Sequence, residues 1–293
     1  MCGIIAMHFR HQATQVRPKV ILDHCRQGFT EMLVASQRRG SSATGVVLSR
    51  FDYVTGKNSI DVIRAPLPAK EFVKTKEYHE LIDRVDNDTY FIFGHTRAVT
   101  TGGAQNNHNN HPHKAGRIIG VHNGHINNHR SIWKSLVARA PFPLTQTSDC
   151  DSEAIFALIE QGRRDGMKPM AATKWAAEQL EGWFAFMHVD ADYPYDLQFV
   201  KDHTTDLEFV WIPKHRITLI CSEERIILDG IRKRFVDYTR LELTPAEVHT
   251  LKSYPDEDTD ELFVWREPLE LGIKRIRVED KELFERTRGR ARV

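Results

Sequence analysis

The chain opens with the stretch Met1-Cys2-Gly3-Ile4-Ile5-Ala6, and the interpretation of the whole sequence starts from it. Aminopeptidases generally remove an initiator methionine when the next residue is small, as cysteine is. Cys2 would then carry a thiol and a free α-amine in one residue, which is a nucleophile with its own base. A free α-amine has a pKa of about 7.7–8.0, so it can accept a proton near neutral pH. The alternative is an inert buried cysteine at the start of a strand.

Composition narrows the class of protein. The 293 residues have 41% hydrophobic content and a net charge of +1, which describe an ordinary globular chain of one large or two small domains. The balanced charge attracts neither nucleic acid nor a membrane surface. The sequence has no apolar run of membrane-spanning length. It also shows no secretory signal. The four cysteines, none in a CxxC spacing, indicate neither zinc nor disulfides. We therefore expect a cytoplasmic protein in which Cys25, Cys150 and Cys221 are inert.

The apolar pattern predicts strands and helices in blocks. This order favours an α+β layered sandwich over a doubly wound parallel sheet. The predicted strands cover 4–9, 45–48, 60–64, 90–96, 117–122, 183–189, 197–201, 208–212 and 217–221, and the predicted helices cover 20–38, 128–138, 152–163 and 170–180.

Two polar clusters follow predicted elements in the first third of the chain. The first is RGSSATG at 39–45, where glycines beside small hydroxyl residues allow close backbone approach. The second is GHTRAVTTG at 94–102, where Arg97 at a strand end could bind a carboxylate with both guanidinium nitrogens. From these residues alone, an ordinary turn and a surface arginine are the alternatives.

Two further clusters lie downstream. His122-Asn123-Gly124-His125 contains Asn-Gly, the usual signal for a tight turn, and a turn is the expectation from these residues alone. Asn-Gly also offers a side-chain amide donor beside an unobstructed backbone N–H, as an oxyanion hole requires. The fourth cluster, SDCDSE at 148–153, begins a predicted helix, with Ser148 or Asp149 as its expected cap. A carboxylate there could instead bind an ammonium group.

The four clusters, in this order behind an N-terminal Cys-Gly-Ile, resemble the class II, or N-terminal-nucleophile (Ntn), glutamine amidotransferases. The segments at 107–113, 120–124, 180–186 and 220–223 are similar to that family as well. The resemblance covers about residues 2–230. It implies a four-layer αββα sandwich of the Ntn-hydrolase type, with a glutaminase domain over 2–235. Residues 236–293 are expected to be a C-terminal extension whose strands pack on the domain and which ends in a basic tail.

The resemblance also implies roles for the matching residues. Cys2 would attack the side-chain amide of L-glutamine, form a thioester, and use its own α-amine as the base. Ammonia would leave, and water would release glutamate. The other implied residues are Asn123 and the Gly124 N–H as the oxyanion hole, Arg97 for the α-carboxylate, Asp151 for the α-ammonium group, and Thr100 and Thr101 along the same pocket.

Some positions depart from the family pattern or compete for one role. Ser42 stands where the family usually has aspartate, which changes the contacts expected around Cys2. Ala98 stands where tryptophan is common, which predicts a different loop closure over the substrate. Asp149 competes with Asp151 for the ammonium site, and the spacing to Ser152 favours Asp151. Six histidines between 108 and 129 suggest a metal site, but the cluster has no partner cysteine or defined carboxylate, so no metal or cofactor is expected.

The implied activity supplies ammonia to an acceptor-modifying enzyme. The segment after residue 223 is too short for an acceptor domain, so the expected partner is a separate synthetase or transferase, and a homo-oligomer is left open. Direct contact with nucleic acid is not expected, although the arginine-rich segment at 286–292 could contact an acidic partner instead of forming a disordered tail. Two alternatives stand: another Ntn amidase that acts on acyl amides, and a non-catalytic binding subunit that keeps the fold. The pair Arg97 and Asp151 disfavours acyl amides, because these substrates lack an amino-acid zwitterion.

Overall fold

The computed structural model describes residues 2–11, 16–99, 102–139, 143–231, 234–235, 237–241, 243, 245–254 and 264–269. The strands within these residues are β1 Gly3–Phe9, β2 Ala43–Asp52, β3 Lys57–Ala65, β4 Thr89–Arg97, β5 His113–Ala115, β6 Ile118–Ile126, β7 Gly182–Asp190, β8 Asp196–Lys201, β9 Glu208–Ile212, β10 Ile217–Cys221, β11 Thr239–Leu241, β12 Glu247–Lys252 and β13 Val264–Pro268. The helices are α1 Lys19–Ser36, α2 Ala69–Phe72, α3 Lys76–Ile82, α4 His129–Val137, α5 Glu153–Arg164, α6 Pro169–Glu178 and α7 Glu224–Ile231.

The strands form two antiparallel sheets. The first sheet has the order β11-β9-β10-β1-β4-β2-β3, and the second has the order β13-β12-β8-β7-β6-β5. The N-terminal strand β1 is therefore the central strand of the first sheet, between β10 and β4. The C-terminal strands extend an edge of each sheet, since β11 pairs with β9 while β12 pairs with β8.

Alternating side chains of β1 contribute to two different cores. Ile4 and Ala6 belong to the apolar core between the two sheets. Ile5 and Met7 belong to the core that also contains residues of α1, such as Phe29. Because successive side chains of a strand point to opposite faces, β1 must be apolar on both faces. This accounts for the continuous apolar stretch at the start of the sequence.

The second sheet has its own helical cover, formed by α4, α5 and α6. Phe156 of α5 and Ala172 of α6 share a core with Phe186 of β7. The order of the layers is thus helix, sheet, sheet, helix. The predicted four-layer αββα sandwich is confirmed.

The predicted strands and long helices are all present, with ends that differ by a few residues. The sequence patterns missed two kinds of element. Helices α2 and α3 are one or two turns long, and strands β5 and β11 have three residues each, so all four are too short to show a repeated apolar pattern. Helix α7 was also missed, whereas β12 and β13 lie in the extension for which strands were expected without bounds.

Two local predictions are wrong. Asn123 and Gly124 do not form a tight turn but continue β6, in register with Ala185 and Phe184 of β7. Helix α5 is not capped by Ser148 or Asp149, because its N-cap is Ser152, which makes no side-chain capping bond.

The segment that precedes α5 is instead fixed by hydrogen bonds to Glu153, the first residue of the helix. The Glu153 carboxylate accepts hydrogen bonds from the backbone N–H groups of Thr147 and Ser148 and from both of their hydroxyls. Ser148 is therefore a donor to the helix rather than its cap.

No helix among the described residues is long and apolar enough to cross a membrane. The acidic segment at 255–260 and the arginine-rich segment at 286–292 lie outside the described residues.

Candidate active site

Cys2 lies where β1 and β4 stop pairing. Gly3 is in register with Thr96, so Cys2 lies beside the end of β4 at Arg97. Its Sγ accepts a hydrogen bond from the backbone N–H of Ala98 at 3.3 Å. The thiol is half-buried.

Opposing effects act on the pKa of the Cys2 thiol. Burial raises it and is the largest effect. The Ala98 backbone and the guanidinium charges of Arg97 and Arg39 lower it, but the pKa remains above the ordinary value of a thiol. Because the thiolate is the nucleophilic form, a base must take the thiol proton during reaction.

The first polar cluster lies against the backbone of Cys2. Arg39 Nε donates to the carbonyl oxygen of Cys2 at 2.6 Å, and its Nη1 forms an ion pair with Glu223 at 2.5 Å. A Cβ at Gly40 would lie 2.3 Å from the Ala98 nitrogen, so only glycine fits there. Ser42 donates its backbone N–H to the Arg97 carbonyl at 2.9 Å. The RGSSATG stretch therefore fixes the strand ends that flank the thiol.

Arg97 is buried and held by the loop that follows β4. Its Nη1 donates to Asn110 Oδ1 at 2.8 Å, and its Nη2 donates to the Gly102 carbonyl at 2.9 Å. These contacts fix the Arg97 guanidinium. The next residue, Ala98, donates its N–H to the Cys2 sulfur. Thr100 and Thr101 lie outside the described residues.

Asn123 and Gly124 lie on β6, in the sheet that does not contain Cys2. Asn123 is buried, and its Nδ2 donates to Ser222 Oγ at 2.7 Å. Gly124 is exposed, with φ at +137°. A Cβ there would lie 2.0 Å from the Trp183 carbonyl oxygen, so this strand path requires glycine. The side-chain amide of Asn123 is therefore followed directly by the backbone of Gly124, which has no side chain to shield it.

Ser222, at the end of β10, joins the two sheets near Cys2. Its Oγ accepts the Ile4 N–H at 2.8 Å as well as the Asn123 amide. The motif around it was noticed in the sequence, but its contact with Asn123 was missed. That contact depends on how the two sheets lie on each other, and no local pattern encodes this.

Asp151 is buried next to the end of β6. Its Oδ2 accepts the Ile126 N–H at 2.7 Å and lies 3.6 Å from Nδ1 of His125, which follows Gly124. Asp149 is exposed, and its N–H donates to Asn109. Asp151 therefore lies against the end of β6, and its role toward an ammonium group stays a prediction.

A buried group of imidazoles lies behind this site. The ring centroids of His95 and His111 are 4.0 Å apart, and those of His111 and His113 are 4.5 Å apart. Burial lowers the pKa of His95 to about 3 and that of His122 to about 4, and it holds the pKa of His111 and His113 well below the usual value. These rings are therefore neutral at pH 7. Among the described residues, no group of three or more His, Cys, Asp or Glu side chains could hold a metal ion.

The three remaining cysteines are buried and free. Burial raises the thiol pKa of Cys25 to about 12, that of Cys150 to about 11 and that of Cys221 to about 12. All three stay protonated at neutral pH, so they lack the form that acts as a nucleophile.

Two antiparallel sheets between helical layers, with a cysteine at the start of the central strand, define a sandwich of the Ntn-hydrolase type. Solved structures establish this fold. Glutamine phosphoribosylpyrophosphate amidotransferase from B. subtilis, complexed with ADP and GMP, matches with a TM-score of 0.64 at 18% identity over 93% of this chain and 50% of its own. A structure described as the allosteric regulatory enzyme of purine biosynthesis gives 0.65 at the same identity and coverage.

Sequence comparison gives the family. Residues 95–229 match the model of the glutamine amidotransferase domain. Glutamine–fructose-6-phosphate aminotransferase (isomerizing) from Sulfurisphaera tokodaii is 28% identical over 64% of this chain, and its counterpart from Idiomarina loihiensis is 34% identical over 54%. Residues 95–229 are thus a glutamine amidotransferase domain, and the resemblance noted in the sequence is confirmed. The chain spans only 28% and 26% of the length of these two relatives.

Proposed function

We propose that this protein hydrolyses L-glutamine to glutamate and ammonia through a thioester on Cys2. One observation carries the proposal. The Cys2 sulfur accepts the N–H of Ala98, which follows Arg97, and Asn123 is linked through Ser222 to Ile4 of β1, the strand that follows Cys2. A nucleophile, a carboxylate-binding cation and an amide donor thus lie at one end of the sandwich.

The chemistry follows from these positions. After removal of Met1, the α-amine of Cys2 takes the thiol proton, and Sγ attacks the side-chain amide carbon of glutamine. The oxyanion is stabilised by the Asn123 amide and the Gly124 N–H. The C–N bond then breaks, and the leaving nitrogen takes the proton from the amine and departs as ammonia. Water attacks the thioester, which releases glutamate and restores the thiol.

Charge complementarity selects the substrate in this proposal. A free α-amino acid presents one carboxylate and one ammonium group. Arg97 binds the carboxylate, and the buried Asp151 binds the ammonium group. The resemblance implies that Thr100 and Thr101, which lie outside the described residues, line the same pocket.

The released ammonia serves a synthetase or transferase reaction, in another domain or on a separate subunit. The proteins to which the chain is similar are named as amidotransferases and aminotransferases, which supports ammonia transfer as the purpose of the hydrolysis. The four free cysteines suit a reducing, cytoplasmic environment. Residues 236–293 form an extension of the 2–235 domain, a division supported by the pairing of β11 and β12 with the sheet edges.

The test is glutamate release from glutamine by the purified protein, after intact-mass analysis has established that Met1 is removed. We expect turnover that Cys2→Ala abolishes. Cys25→Ala, which removes a buried thiol of α1, should retain kcat in its folded fraction and is the matched control. Equal activity in Cys2→Ala, or no glutamate from the processed protein with or without candidate acceptor enzymes, would contradict the proposal.

The competing activities give different results in the same assay. If the protein is an acyl-amide hydrolase, simple acyl amides will turn over, and Arg97→Lys will not affect them. If glutamine is the substrate, Arg97→Lys should raise its KM by about tenfold or more, because lysine cannot bind a carboxylate bidentately. A binding subunit would retain Met1 and release no product from either substrate.

A further inference from the structure

The hydroxyl of Ser222 occupies a junction between the two sheets. Ser222 is fully buried at the end of β10, in the first sheet. Its Oγ accepts the Ile4 N–H at 2.8 Å and the Asn123 Nδ2–H at 2.7 Å, and it donates to the Ile4 carbonyl at 3.3 Å. Ile4 lies two residues after Cys2, and Asn123 belongs to the second sheet. One oxygen atom therefore connects the strand of the nucleophile to the oxyanion donor.

The three hydrogen bonds use the full capacity of that hydroxyl. A serine hydroxyl has one proton to donate and two lone pairs to accept with. The proton is directed to the Ile4 carbonyl, and both lone pairs are occupied by N–H groups. Asn123 must therefore present its NH₂ group to Ser222 rather than its carbonyl oxygen. The second proton on Nδ2 remains to donate to an oxyanion.

A second bond crosses between the sheets next to Asn123. His95 Nε2 lies 3.0 Å from the carbonyl oxygen of His122. A carbonyl oxygen only accepts, so the neutral His95 ring donates from Nε2. This bond fixes the backbone on one side of Asn123, and the His95 ring also interacts with the Asn123 side chain. The contact that requires the NH₂ group itself is the one with Ser222.

We propose that Ser222 is a positioning residue of the oxyanion hole, which orients the Asn123 amide and holds it in register with the Cys2 strand. This inference rests on the proposed glutaminase function. Loss of the hydroxyl frees the amide to rotate, so that its carbonyl faces the developing negative charge in part of the molecules. The acylation step then slows, while glutamine binding through Arg97 is unchanged.

A double-mutant cycle on the Met1-processed protein tests this inference, with Ser222→Ala, Asn123→Ala and the double variant. For Ser222→Ala we expect kcat to fall by about tenfold or more, with the KM for glutamine unchanged within about twofold. Because Ser222 acts through Asn123, the double variant should be no slower than Asn123→Ala alone. Multiplying effects, or an unchanged kcat in Ser222→Ala, would overturn the inference.

Two further variants separate positioning from folding. Ser222→Thr keeps the hydroxyl and should recover most of the kcat. Ser222→Cys keeps the approximate volume but replaces the hydroxyl with a weak hydrogen-bonding group, so it should behave like Ser222→Ala. All rates are expressed per folded molecule from thermal unfolding curves. Wild-type protein that releases no glutamate would refute the proposed function itself, whereas active wild type with an additive cycle would refute only the role of Ser222.

Discussion

The two ends of strand β1 differ in how far neighbouring side chains cover them. At the end that follows Phe9, Arg17 donates to the carbonyls of Arg10 and His215 at 2.7 Å and 2.9 Å, and its guanidinium lies 5.2 Å from the Phe9 ring. His11 stacks on Tyr254, with ring centroids 4.9 Å apart. Side chains thus cover the strand end and use its carbonyls.

At the Cys2 end, the groups that flank the strand are held in place but not fully covered. The sulfur is half-buried and Gly124 is exposed. The comparison shows one strand end covered by side chains and the other end open. In the proposed function, the covered end serves stability and the open end serves the reaction.

The largest expected effect is that of replacing Asn123, the proposed oxyanion donor. Asn123→Ala should lower kcat for glutamate release by about 10²–10³, the range found when one oxyanion-hole donor is removed. Steady-state kinetics with glutamine measure this. Asn128→Ala is the control, since Asn128 bonds the backbone of Gln179 and Glu181 instead. Equal kinetic losses in both variants would mean that Asn123 has only a structural role.

Gly124→Ala and Gly56→Ala separate the effect of a steric clash from the effect of positive φ alone. In Gly124→Ala the new Cβ meets the Trp183 carbonyl at 2.0 Å, so β6 must shift, and we expect kcat to fall by about 10². Gly56 also has positive φ, at +65°, but a Cβ there meets nothing within 4 Å. Gly56→Ala should therefore cost about 1 kcal/mol of stability and leave kcat unchanged. Similar kinetics in the two variants would contradict this contrast.

The covered end of β1 should respond in stability alone. Arg17→Ala leaves the Arg10 and His215 carbonyls without this donor, so we expect a loss of about 2–3 kcal/mol in the free energy of unfolding. Urea denaturation measures the loss, and kcat per folded molecule should not change. A drop in kcat without a drop in stability would mean that the two ends of the strand are coupled.

Low pH should destabilise the folded protein through buried histidines that lie at both ends of β1. Burial lowers the pKa of His8 at the covered end to about 3, as it does for His95 near the site. The unfolded chain binds protons below its pKa of about 6.5 while the folded chain does not, so stability falls as pH falls from there. Each such ring should cost about 1.4 kcal/mol at pH 5.5. Urea midpoints that stay constant between pH 7.5 and 5.5 would show that these rings are not held neutral.

Much of the fold and of the candidate site could be predicted from the sequence, because the signals for these parts are local. The strands at 208–212 and 217–221 were predicted with the ends that the structure has, since continuous apolar runs bounded by polar residues are a strong signal. Arg97 and Asp151 were found because each lies at an element end within an ordered set of motifs. Their roles toward glutamine stay predictions.

What could not be predicted depends on contacts between distant segments. Asn-Gly usually makes a turn, but Gly124 continues β6 with positive φ because β7 pairs beside it. The cap of α5 was misassigned because Glu153 satisfies the preceding N–H groups from inside the helix. The link from Ser222 to Asn123 joins two sheets, and sheet stacking leaves no pattern in either strand.

The central position of β1 also bears on how the chain folds as it is made. β1 comes before the other described strands in the chain, yet one of its neighbours is β10, so that Ile5 pairs with Cys221. Pairing across such a long stretch of chain is slow, because the loop entropy must be lost before the contact forms. Until β10 emerges, the edge of β1 opposite β4 has no partner strand. That edge stays open while the residues between the two strands are made, and an open strand edge can pair with another chain until β10 fills it.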